Sequence, residues 1–153
     1  MKRILSAPVI LAVFAALVTV VTTSKRTVPA VYAQTGCSVA TLTGNYGFTF
    51  SGFTNHPPQF RGSNVFPFYG EGLGTFDGGG NFSATYASSF NGASSTGNPY
   101  TATYTVNSDC TGLLTATPGS GGDNFAFVIV GGGAEILATD LSGATLSLDL
   151  KKQ

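Results

Sequence analysis

The groups able to do acid–base or nucleophilic chemistry are few: one histidine, His56, two glutamates, Glu71 and Glu135, five aspartates and two cysteines. A Ser-His-Asp machine needs a histidine held by a carboxylate and aimed at a nucleophile. His56 instead precedes Pro57-Pro58, and no Gly-x-Ser-x-Gly elbow accompanies it. An unpaired histidine of this kind reads as solvated. Glycoside hydrolysis needs two facing carboxylates at a set spacing, so Glu71 and Glu135 serve only if both face one lumen. Two Asp-Gly runs raise the question of calcium, Asp77-Gly78-Gly79-Gly80-Asn81 and Gly119-Ser120-Gly121-Gly122-Asp123-Asn124. Neither repeats at the period of a calcium β-roll or has a third carboxylate nearby, so turn chemistry explains them better. One histidine and two cysteines do not close a zinc shell. The expectation is no metal, no cofactor and no assignable catalytic residue.

The remaining composition says where such a chain works. Seven Lys and Arg balance seven Asp and Glu, but Lys2, Arg3, Lys25 and Arg26 fall in the first 26 positions. Downstream, Arg61, Lys151 and Lys152 face all seven acids, a net charge of −4. That excludes a basic nucleic-acid footprint. Lys2 and Arg3 precede an unbroken apolar run of ten residues, Val9 to Val18, and Val31-Tyr32-Ala33 is a small-x-small cleavage site. The run is shorter than the roughly 18 residues of a membrane span and suits a signal peptide. Residues 1–33 therefore read as a signal peptide and 34–153 as one mature domain, secreted or periplasmic. An uncleaved anchor over residues 4–21 is the alternative. Cys37 and Cys110 both fall in the mature part, where export favours a disulfide over two buried thiols. Closing a loop of about 74 residues stabilises by roughly 4 kcal/mol on the chain-entropy account.

From Thr41 onward the pattern is alternation between glycine-rich breaks, with no helical period. Tyr46, Phe48 and Phe50 oppose Gly47 and Thr49, and Leu146, Leu148 and Leu150 oppose Thr145, Ser147 and Asp149. The spacing predicts strands over 42–50, 65–76, 81–90, 100–106, 112–117, 124–130, 134–140 and 145–151. One apolar and one small polar face per strand marks an antiparallel sheet with one wet side. Short breaks keep sequence neighbours adjacent, and eight such strands close into an up-and-down barrel. A two-sheet β-sandwich is the alternative. In the barrel, Cys37 and Cys110 fall at the same end, called end A here, with the short turns 77–80 and 131–133. End B receives the segments 51–64, 91–99 and 118–123.

Three segments resemble a known group: the run from Cys37 through Thr43-Gly44-Asn45-Tyr46-Gly47-Phe48, Gly70-Glu71-Gly72-Leu73-Gly74-Thr75-Phe76-Asp77, and Tyr104-Thr105-Val106-Asn107-Ser108-Asp109-Cys110. They are similar to small secreted bacterial proteins with an allene-oxide-cyclase-like barrel, and the Gly-x-Gly-x-Phe stretch is similar to the plant dirigent barrel. The resemblance implies a barrel over the whole mature chain. It also implies a trimer and, from the plant enzymes alone, cyclisation or coupling of small apolar molecules. The catalytic residues of those enzymes find no counterpart here.

Inside such a barrel, Gly70, Gly72 and Gly74 form an inward stripe that either accommodates rings from adjacent strands or keeps the lumen hollow. Pairing of Phe76 with Phe82 would turn Glu71 outward, while Glu135 changes face with one residue of register at 131–133. Inward aromatics gather near end B: Phe50, Phe66, Phe68, Phe90, Tyr100 and Phe125. Tyr46, Tyr86 and Tyr104 lie deeper, and their hydroxyls need partners when buried. The expectation is a mostly filled core with a shallow apolar cup at end B, the segment 51–64 as its lid, and His56 and Arg61 at the rim. The partner is then a small apolar or aromatic molecule. A cyclase or isomerase using tyrosines and a buried carboxylate such as Glu135 is the second expectation. A structural or adhesive subunit with Ser/Thr-rich outer faces is the third.

Overall fold

The computed structural model describes residues 36–54, 65–120 and 122–153. His56 and Arg61 lie outside the described residues, as does most of the segment expected to form a lid. Period-2 alternation sets the core: Tyr46, Phe48 and Phe50 are buried, whereas Thr49 and Ser51 between and beyond them are exposed. The strands are β1 (Thr43–Thr54), β2 (Phe66–Asp77), β3 (Asn81–Phe90), β4 (Ala93–Val106), β5 (Thr111–Ala116), β6 (Phe125–Val130), β7 (Glu135–Asp140) and β8 (Thr145–Lys152). Each pairs antiparallel with its neighbours in sequence, and β1 closes on β8 from Tyr46↔Lys152 to Phe53↔Thr145. The molecule is a closed eight-stranded up-and-down barrel, not a sandwich.

Two strands run further than their sequence pattern indicates. β1 continues through Thr54, and β4 begins at Ala93, so residues 93–99 are strand and not an end-B loop. The reversal before β4 is the pair Asn91-Gly92, both at positive φ (46° and 86°), the geometry of a two-residue hairpin turn. Further along this hairpin the register shifts: Tyr86 pairs with Asn98, but Ser88 pairs with Ser95. Thr96 and Gly97 thus oppose Ala87 alone, a β-bulge with Gly97 at φ 70°.

The inward glycine stripe is filled by rings. A Cβ at Gly70 would overlap the Phe50 ring, one at Gly74 would overlap the Phe82 ring, and one at Gly72 would sit 2.7 Å from Phe48 Cζ. Phe76 pairs with Phe82 as expected, with ring centroids 4.4 Å apart, and Glu71 accordingly faces outward. Glu135 also faces outward, next to the buried Ile136, and its carboxylate lies 3.5 Å from Lys151 Nζ. It is therefore no lumenal carboxylate. The outer face is less uniformly polar than its Ser/Thr content suggests, because Leu113, Val128 and Leu137 are exposed on β5, β6 and β7.

End A is sealed. Residues 36–42 enter across it, with one 3₁₀ turn at Val39–Thr41. The Ser38 amide donates to Thr41 Oγ1 at 3.0 Å, holding that turn. The Leu42 side chain is fully buried beneath. The Cys37–Cys110 disulfide, with Cα atoms 5.0 Å apart, ties this segment to the β4–β5 turn, and the Gly36 amide donates to Ser108 O at 2.8 Å. Tyr104 donates to Val39 O and Leu42 O, both at 3.0 Å, and Tyr46 donates to Gly133 O at 2.6 Å. The Phe76 ring stands edge-on to both tyrosines, at 5.2 and 5.0 Å. The Asp-Gly run at this end is occupied with its own turn. Asp77 accepts from the Gly79 and Asn81 amides at 2.7 and 2.9 Å and from Asn81 Nδ2 at 2.6 Å. Those bonds, the Asn81 side chain foremost, hold its carboxyl down at about 2.

Candidate functional site

At end B the same inward positions leave a cavity of about 330 Å³. Its wall is assembled by strand alternation. β1 supplies Phe48, Phe50 and Thr54, and β8 supplies Leu146, Leu148 and Leu150. β2 and β3 supply Phe68, Phe82, Tyr86 and Phe90. Tyr100 of β4, Leu114 of β5, Phe125 of β6 and the preceding Gly122-Asp123 are the remaining lining among the described residues. The aromatic side is a connected set: Phe50 meets Phe68 at 5.0 Å and Tyr86 at 5.6 Å, and Phe68 meets Phe90 at 6.1 Å. Edge-to-face and tilted contacts of this kind fix ring positions without closing the space between them.

Of the residues singled out by sequence, Phe50, Phe68, Tyr86, Phe90, Tyr100 and Phe125 line the cavity. Phe66 does not line it but packs on Phe90, with centroids 5.6 Å apart. Tyr46 and Tyr104 face inward at the wrong height. They belong to the sealed end, where burial raises both phenol pKa values. Sequence reasoning missed Phe48, Thr54, Phe82, Leu114, Gly122, Asp123 and the three β8 leucines. For the leucines the signal was present, since their alternation with Thr145, Ser147 and Asp149 marks an inward row.

Among the described residues the polar part of the wall is small: Thr54 on β1, and Tyr86, Tyr100 and Asp123 grouped across from it. Tyr100 donates to the Asp123 carbonyl at 2.8 Å, and a Cβ on Gly122 would overlap the Tyr100 ring. Glycine thus lets the β5–β6 connection lie flat on that ring. Burial pushes the Tyr100 phenol well up, and the Asp123 charge adds to the shift. Burial and then the Asp123 charge raise Tyr86 likewise. Two protonated phenols under the influence of the Asp123 charge therefore face a wall of phenylalanine and leucine. The arrangement can hold an apolar body and address it with a few polar groups.

No family model, curated protein or solved structure matches the chain.

Proposed function

We propose that this protein binds a small apolar or aromatic molecule in the end-B cup of its barrel. One observation carries the reading: an apolar cavity of about 330 Å³ opens at one end of a barrel whose other end is sealed by a tethered segment. The volume falls at the low end of ligand pockets, about 300–1,000 Å³. Burying ligand and ring surface there favours binding by roughly 25 cal/mol per Å² before the costs of association. The signal-like first 33 residues and the disulfide support work in an oxidising compartment outside the cytosol.

A second reading, a cyclase or isomerase, draws on the resemblance to the allene-oxide-cyclase-like and dirigent barrels. The Asp123 charge, which acts on the Tyr86 and Tyr100 phenols, supports it, in place of the outward Glu135.

Titration with N-phenylnaphthylamine, which fluoresces when desolvated, tests the binding reading. Leu148→Trp puts an indole into the cavity and is expected to weaken uptake more than tenfold. Leu113→Gln, on the exposed outer face, is expected to leave it unchanged. Equal uptake by both variants contradicts the assignment.

A further inference from the structure

The inward tyrosines do not treat their hydroxyls alike. Tyr46, Tyr100 and Tyr104 each donate to backbone carbonyls, at 2.6, 2.8 and 3.0 Å. Among the described residues the Tyr86 hydroxyl has no hydrogen-bond partner, although its ring is half-buried, packs on Phe50 and lines the cavity. The hydroxyl is not one of the buried unpartnered polar atoms of the described residues, so it stands accessible from the cavity with its donor uncommitted to protein.

The backbone around Tyr86 is built with care. It stands at the β-bulge, where Asn98 Nδ2 donates to Tyr86 O at 3.3 Å and to Ser95 Oγ at 2.9 Å. On the other flank it pairs with Gly72, where a Cβ would lie 2.8 Å from Tyr86 Cβ. Bulges re-aim side chains and recur beside functional sites. The bulge and the glycine therefore seat this ring, while its hydroxyl is left to the cavity.

We infer that Tyr86 is the polar anchor of the cup, and that the ligand is an apolar molecule carrying one hydrogen-bond acceptor, such as a ketone, ester or ether oxygen, set against the Tyr86 hydroxyl. This rests on the binding reading above and narrows it. The phenol is a donor at neutral pH, and its burial beside the Asp123 charge keeps it so. A neutral hydrogen bond of this kind is worth about a three- to tenfold gain in affinity.

Calorimetry with two shape-matched compounds, acetylnaphthalene and isopropylnaphthalene substituted at the same ring position, tests the inference. Wild type is expected to bind the ketone about three- to tenfold more tightly than the hydrocarbon. Tyr86→Phe keeps the ring and is expected to erase that preference without weakening hydrocarbon binding. Leu113→Gln, on the exposed outer face, is expected to retain it. Equal affinity for both compounds in wild type, or a preference that survives Tyr86→Phe, overturns the anchor while the cup stands. Binding of neither compound overturns both.

Discussion

The two ends of this barrel use the same residue types to opposite effect. At end A, Tyr46 and Tyr104 pass their hydroxyls to the carbonyls of Gly133, Val39 and Leu42, and a disulfide fixes the segment they hold. Each donor there removes a degree of freedom from the chain that closes the end. At end B, Phe50, Phe68, Tyr86 and Phe90 pack ring against ring, and backbone is held by Tyr100, which donates to the Asp123 carbonyl. An inward aromatic face thus makes a seal where its hydroxyls hold a crossing segment, and a cup where its rings pack on one another.

Removing the tether should have the largest effect and should separate the ends most sharply. The paired change Cys37→Ser and Cys110→Ser opens a link across 73 residues, and is expected to cost about 4 kcal/mol, or about 10–20 °C in melting temperature. Below that lower melting point, probe affinity at end B is expected to stay within about twofold of wild type, because the bridge ties the entering segment to the β4–β5 turn at the other end. Loss of binding in a protein that still melts cooperatively would show the ends to be coupled.

A smaller effect comes from making one substitution at both ends. Tyr46→Phe deprives the Gly133 carbonyl of its buried donor and is expected to cost about 1–3 kcal/mol. Tyr86→Phe removes a hydroxyl with no protein partner among the described residues, and is expected to change stability by less than about 0.5 kcal/mol. Thermal unfolding of the two variants checks this. Equal costs would mean that Tyr86 is as structural as Tyr46.

Much of this was legible because strand parity is written in the sequence. Alternation along 46–50 and 145–150 sets which side chains face inward, the glycine breaks set the turns, and the meander then places Cys37 beside Cys110. Parity does not give height along the barrel axis. Tyr46 and Tyr104 therefore read as cup residues, although they belong to the seal. Residues 93–97 carry no apolar alternation because this stretch is exposed on both faces, so they read as loop. The Asn91-Gly92 pair was the available signal for a tight turn there. Asp123 sits in a glycine-rich run that reads as a plain turn. Its place on the cavity wall follows from Gly122 lying on Tyr100, a contact that no local pattern announces.

The division into a sealed end and a receiving end is tested most directly by mapping amide chemical shifts during titration with N-phenylnaphthylamine. The account predicts saturable changes at Phe50, Phe90, Tyr100, Asp123 and Phe125, with Leu42, Tyr46, Cys110 and Gly133 unmoved. Changes centred on the second set, or spread over the outer Leu113, Val128 and Leu137, would contradict it.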